Sequence, residues 1–276
     1  MGIPAAILEG GLVMLPHAAP FERLTRLRSP LWTAMLPGSI IIGTFGVVAL
    51  PGTAPTTLLI AAITTPLLAL LAVTSVVRAR WLVLVAGAVA AGLAGFATGL
   101  PGQLGSAAIT ALACLTIGAT LQRLIPSRWL LAGVVAMAVV DSVLLASGIG
   151  YHQTVVLAAA ARSFPGPHFT GARVGGTTIG YPDLFLAALL GTSLAGRRAQ
   201  WAGGLLLAVL VVAYDSLLSP GVLLPATVPI AITMIAILAA RSLGRLRSRQ
   251  RLGSRHRGAR TKHRPGDPRP ACPAPG

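Results

Sequence analysis

The chain carries six acidic residues, Glu9, Glu22, Asp141, Asp183, Asp215 and Asp267, and three of these aspartates fall inside long apolar runs. Placing a carboxylate at the centre of a bilayer costs about 2.5–3.5 kcal/mol on insertion scales, so such residues usually serve a site. Asp141 lies in "MAVVDSVLLASG", seven residues before Gly148. Asp183 lies in "TTIGYPDLFLAALLG", five residues into its apolar run. At 1.5 Å per residue both sit roughly 7–11 Å below the same boundary. Asp215, in "VVAYDSLLSPG", is three residues from the end of its run and closer to the surface.

Two carboxylates at one depth in a wet pocket can divide the roles of base and acid between them. Such a pair can activate water for attack on a peptide carbonyl and protonate the leaving amine. Other readings stay open. Pro182-Asp183 also fits an ordinary helix start, with proline in the first turn and aspartate favoured by the helix dipole. Asp215, beside Ser216 and near Pro220, reads better as an interfacial or helix-end residue and is at most an accessory group. A proton relay or ion-coupling role, in a transporter or channel, is compatible with all three. The spans show no serine elbow, no histidine near a membrane serine and no phosphate-binding glycine loop. The two cysteines, Cys114 and Cys272, form neither a disulfide framework nor a metal-ligand cluster. No metal and no cofactor are expected.

The elements that must position these carboxylates are membrane helices. Of 276 residues, 54% are hydrophobic and 10% charged, far below the quarter or so of charged residues in soluble domains. Eight runs are long and apolar enough to span: Leu31–Leu50, Thr56–Val77, Trp81–Leu100, Gly105–Leu121, Trp129–Gly148, Thr178–Ala195, Trp201–Leu218 and Val222–Ala240. A ninth, Ile3–Leu15, is short and interrupted by Glu9. The fold class expected is an all-α polytopic bundle of eight or nine spans. Residues 1–128 form its N-terminal helices and 129–240 the aspartate-bearing helices, with an exoplasmic loop over 149–177. Within that loop, 155–161 has the pattern of an interfacial segment, and "SFPGPHFTGARVGG" that of a flexible connection.

Charge gives the orientation. Eleven of the 22 basic residues lie between Arg241 and Arg269, and the others fall mostly in alternate gaps between spans. The gaps holding Arg23–Arg28, Arg78–Arg80, Arg123–Arg128 and Arg197–Arg198 are therefore cytoplasmic, as is the basic, disordered tail 241–276. That tail suits anionic lipid head groups better than nucleic acid. The start of the chain lacks the basic region of a cleavable signal peptide. A cell membrane is the expected location, and the preference for arginine, with Lys262 the sole lysine, points to a GC-rich bacterial genome.

The order of these features resembles the presenilin and signal peptide peptidase family of intramembrane aspartyl proteases. That family has one aspartate in its sixth helix, a GxGD motif opening the seventh and a Pro-Ala-Leu motif opening the ninth. Asp141 matches the first aspartate, and "GYPD", Gly180-Tyr181-Pro182-Asp183, stands where GxGD would. In "LLPATVPIAI", Pro225-Ala226-Thr227 takes the Pro-Ala-Leu position and Pro229 follows. The likeness covers residues 129–240. Val140 precedes the first aspartate, Pro182 replaces the second glycine, and Thr227 replaces leucine. The resemblance implies catalysis by Asp141 and Asp183, with Gly180, Tyr181, Pro225, Ala226, Thr227 and Pro229 positioning a transmembrane peptide substrate. With the arginine-derived orientation, it is similar to signal peptide peptidase and implies type II single-span proteins or signal-peptide remnants as substrates. Prepilin peptidases share an aspartate and a GxGD, but their aspartates belong near the cytoplasmic face.

Overall fold

The computed structural model describes residues 3–16, 21–77, 80–96, 99–164, 169, 171–174, 177–194, 196–217 and 227–240. The chain divides into two units, Met1–Met234 and Ile235–Gly276. The first holds every described element up to the opening half of the last helix. In the second, Ile235–Ala240 is helical, and the tail 241–276 lies outside the described residues.

The apolar runs fold as helices: α1 (Ile3–Met14), α2 (Met35–Ala49), α3 (Ala54–Ser75), α4 (Arg80–Phe96), α5 (Leu100–Leu124), α6 (Ser127–Ala146), α7 (Ile149–Ser163), α8 (Tyr181–Ser193), α9 (Arg197–Leu217) and α10 (Thr227–Ala240). Among the described residues five helical stretches are long and apolar enough to cross a bilayer: Pro30–Ala49, Pro51–Ser75, Leu100–Leu124, Ser127–Ala146 and Arg197–Ser216. The protein thus has the character of a membrane protein. The runs expected at Ile3–Leu15, Trp81–Leu100, Thr178–Ala195 and Val222–Ala240 contain the shorter helices α1, α4, α8 and α10.

Helix α5 is the centre of the bundle. It is 61% buried, against 22–33% for the other four long stretches, and it packs on α3, α4 and α8. Small residues let the neighbours in. A Cβ on Gly105 would meet the Ala90 carbonyl at 2.5 Å, and one on Gly118 would meet the Leu189 nitrogen at 2.7 Å. Backbones approach this closely in membranes because packing, rather than water exclusion, holds helices together there. One polar tie reinforces the packing: Thr116 Oγ1 donates to the Leu68 carbonyl at 2.8 Å, joining α5 to α3.

Two basic gaps meet at one end of α5. Arg28 donates to the Ile125 carbonyl at 3.3 Å and the Ser29 amide to the Leu124 carbonyl at 3.1 Å. At a second junction, Pro16 pairs with Val77 as an isolated bridge and accepts from Gln200 Nε2 at 2.8 Å. The end of α1, the α3–α4 gap and the start of α9 are thereby tied.

The connection over 149–177 departs from the loop that the sequence suggests. Its first half is the helix α7, and part of its second half is a strand. Gly148, with φ 75°, turns the chain out of α6, and the alanine-rich "VVLAAAAR" then sustains a helix. None of the α7 residues is fully buried. It rests on α2, where Thr44 Oγ1 donates to Gln153 Oε1 at 2.9 Å. Strand β1 (Gly171–Val174) pairs antiparallel with β2 (Thr177–Gly180), in register Gly171↔Gly180 through Val174↔Thr177. Ala172 and Ile179, opposite one another, are buried, and β1 packs against α5.

The run expected as one span over Thr178–Ala195 therefore opens as a strand, not a helix. Thr177, Thr178 and Ile179 are β-branched and favour the pleated conformation. Gly180 is still extended, at φ −67° and ψ 151°. Pro182 lacks an N–H and suits only the first turn, so the helix begins at Tyr181. At 13 residues α8 is about 20 Å long, shorter than the hydrocarbon core of roughly 30 Å. It lies inside the protein: every residue from Asp183 to Gly191 is buried.

Candidate functional site

Asp183 is the third residue of α8 and is buried, with 9% of its surface exposed. Its Oδ2 accepts from the Gly180 amide at 3.2 Å, satisfying one donor of the helix start. Its Oδ1 is buried without a hydrogen-bond partner. The ordinary helix-start role thus accounts for one carboxylate oxygen and leaves the other unexplained. Cys114 Sγ, on α5, contacts the Tyr181 carbonyl at 3.9 Å and fixes the same turn from the other side.

Asp141, on α6, is half-buried. The hydroxyl of Thr227, the first residue of α10, donates to its Oδ2 at 2.9 Å. Thr227 itself is completely buried. The two aspartates reach the site on differently supported helices, α6 held by α2 and α7, α8 by α5 and α1. Asp141 nonetheless faces the same space as Gly180, Tyr181 and Pro182, the residues that lead into Asp183.

A cavity of 1030 Å³ opens beside Asp141 and the turn before Asp183, which does not itself line it. Asp141 lines it together with Gly180, Tyr181 and Pro182 from the start of α8, and Arg173 and Thr178 from the hairpin. Ser39, Gln103, Ser106 and Gln153 add polar groups from α2, α5 and α7. Binding pockets for small ligands run to roughly 300–1,000 Å³, so a peptide segment has room here. The polar groups set in its mainly apolar wall give water a reason to enter.

The structure thus places Asp141, Gly180 and Tyr181 on one cavity wall, with Thr227 bonded to Asp141 and Asp183 bonded to Gly180 just behind that wall. Pro229 is buried in the first turn of α10, where its carbonyl accepts from Thr233 at 2.8 Å, and it does not line the cavity. Pro225 and Ala226 lie outside the described residues. Asp215 is exposed on α9 and is not part of the cavity wall. No group of three or more potential metal ligands occurs among the described residues.

Two participants escape a reading of the sequence. Arg173 lies in a stretch with the composition of a loop, yet the hairpin register turns it and Thr178 toward the cavity. Glu9, which reads as an interruption of a weak apolar run, is completely buried and lies close enough to Asp183 for their charges to interact. A signal for Glu9 was present, since an acidic residue in so apolar a segment is expensive. Its partner is distant in sequence and is legible only in the fold.

Compared with known family models, curated proteins and solved structures, the chain matches none.

Proposed function

We propose that the protein is an intramembrane aspartyl endopeptidase that cleaves peptides spanning or entering the bilayer. The observation that carries this reading is that Asp141, on α6, lines the same cavity as Gly180, Tyr181 and Pro182, the turn of α8 that leads into Asp183 and bonds its carboxylate. One oxygen of each carboxylate is held by a neutral donor, Thr227 for Asp141 and the Gly180 amide for Asp183. Both groups are oriented yet remain able to exchange protons.

In the reaction, one aspartate as carboxylate takes a proton from water while the water oxygen bonds to the peptide carbonyl carbon. The other, protonated, gives its proton to the departing nitrogen as the C–N bond breaks. An amine and a carboxylic acid leave, and the pair again holds one proton. The β1–β2 hairpin leads directly into Gly180, and a sheet edge can bind an extended peptide through main-chain hydrogen bonds. A transmembrane helix must unwind before its carbonyls are accessible, and a strand template beside the aspartates favours the unwound form. The arginine distribution supports an orientation with the tail cytoplasmic and the hairpin exoplasmic, and type II single-span proteins or signal-peptide remnants as substrates.

The test is cleavage of a single-span reporter by the full chain in liposomes. Asp141→Asn and Asp183→Asn should each abolish cleavage at unchanged protein level. Retained cleavage in both variants would refute the proposal. Loss of proton-driven transport in Asp141→Asn vesicles, with no proteolysis by the parent protein, would assign the same aspartates to a transporter.

A further inference from the structure

Helix α1 brings an acidic side chain to the interior from the opposite end of the sequence. Glu9 is 0% exposed, and neither of its carboxylate oxygens has a hydrogen-bond partner. Burying a carboxyl in this way is costly unless a proton or a partner group answers it. The neighbours of α1 are α8 and α9, with lesser contacts to α5 and β2.

The packing fixes where Glu9 points. Val13, one turn after Glu9, lies against α8 so closely that a Cβ on Gly191 would meet its carbonyl at 2.6 Å. On the other face, a Cβ on Gly204 of α9 would meet the Gly10 carbonyl at 2.7 Å. Helix α1 also touches β2, before α8, while Pro16 after α1 binds Gln200 beyond the end of α8. The two helices therefore run parallel. Glu9 stands one turn before the level of Val13 and Gly191, and side chains on a helix lean toward its N-terminus, so Glu9 leans further back toward the first turn of α8. Asp183 stands in that turn, and its unpartnered Oδ1 is the third orphan oxygen of the region.

We propose that Glu9 is a third carboxyl of the site, which shares one proton with Asp183 Oδ1 and so positions that aspartate. The proton passes between an oxygen of Glu9 and Oδ1 of Asp183 with no net gain or loss. With Oδ2 held by Gly180, Asp183 then has a donor or acceptor at each oxygen. Glu9 does not line the cavity. It is a positioning residue that acts through Asp183; the other ionisable groups near that aspartate among the described residues are Asp141 on α6, Cys114 on α5 and Tyr181 on α8.

The inference rests on the protease reading for its effect on rate but not for the sharing itself, so two readouts are needed. The first is the infrared absorption of protonated carboxyl groups in the full chain reconstituted in lipid. Asp183→Asn and Glu9→Gln identify the two contributions. Glu9→Gln should displace the Asp183 band, and Asp183→Asn the Glu9 band. The second is reporter cleavage as a function of pH. Glu9→Gln should lower the maximal rate about tenfold, part of the 10²–10⁴ that general acid–base groups supply. It should also move the pH of half-maximal rate, with partial recovery in Glu9→Asp. Bands that stay in place in both variants overturn the proposal, whatever cleavage does. Displaced bands in a protein that never cleaves its reporter uphold the shared proton and remove the protease reading instead.

Discussion

Replacing Thr227 by valine removes the hydroxyl that donates to Asp141 Oδ2 and keeps a side chain of nearly the same shape. A hydrogen bond to a charged acceptor contributes about 1.5–3 kcal/mol. Each 1.36 kcal/mol is a factor of ten in rate, so full loss corresponds to about a 10- to 150-fold decrease. The structure selects the lower end. Thr227 is completely buried, but Asp141 is only half-buried beside a polar cavity, and water can partly replace the lost donor. Initial cleavage rates of a single-span reporter in liposomes should therefore fall about tenfold in Thr227→Val. Thr227→Ser, which retains the hydroxyl, should stay close to the parent. A control melt in detergent separates lost chemistry from lost fold. An unchanged rate in Thr227→Val would refute the view that this hydroxyl holds Asp141 in a working position.

Packing around α8 yields further expectations. Gly191→Ala puts a methyl group within 2.6 Å of the Val13 carbonyl and should lower stability by about 1–3 kcal/mol, read as a lower melting temperature in detergent. Gly92→Ala is the contrast: no atom lies within 4 Å of its Cβ position, and the helix gains up to about 1 kcal/mol in propensity. Gln200→Leu removes donors to both the Pro16 carbonyl, at 2.8 Å, and the Gly191 carbonyl, at 3.2 Å. The Gly191 carbonyl keeps the Leu194 amide as a donor at 3.3 Å, so the change should cost about 1–3 kcal/mol mainly through the Pro16 carbonyl and expose the end of α1 to a protease added to detergent-solubilised protein.

Much of this arrangement is legible in the sequence, for a physical reason. A bilayer forces apolar runs to close their own backbone hydrogen bonds, so Leu31–Leu50, Thr56–Val77 and Trp129–Gly148 read as helices before any contact is known. The same penalty on charge singles out Asp141 and Asp183. Where the rule weakens, the reading weakens with it. Helix α7 mixes Tyr151, His152 and Gln153 with alanines and carries Arg162 in its last turn, so no clear periodicity marks it. Strands β1 and β2 are four residues each and flanked by glycines, a composition shared by loops and hairpins. Asp183 needs both accounts, because its position after Pro182 explains the bond to Gly180 while its burial explains nothing local. For Glu9 the sequence shows the cost of its carboxyl but not its partner: only the approach of α1 to α8 turns an interrupted apolar stretch into a member of the site.

That approach also dictates an order of events during synthesis. The ribosome delivers α1 ahead of the other described helices, yet the surfaces it packs on, α8 and α9, emerge after most of them. At 12 residues α1 is about 18 Å long, and it carries a carboxyl that lipid rejects. It has no stable resting place in the bilayer until its partners arrive. The glycine contacts with α8 and α9 then admit it, and Glu9 reaches Asp183 only at that step. Chains that stop short of α9 should leave α1 undocked, so the carboxyl cluster forms once the bundle is nearly finished and nascent fragments carry no assembled site.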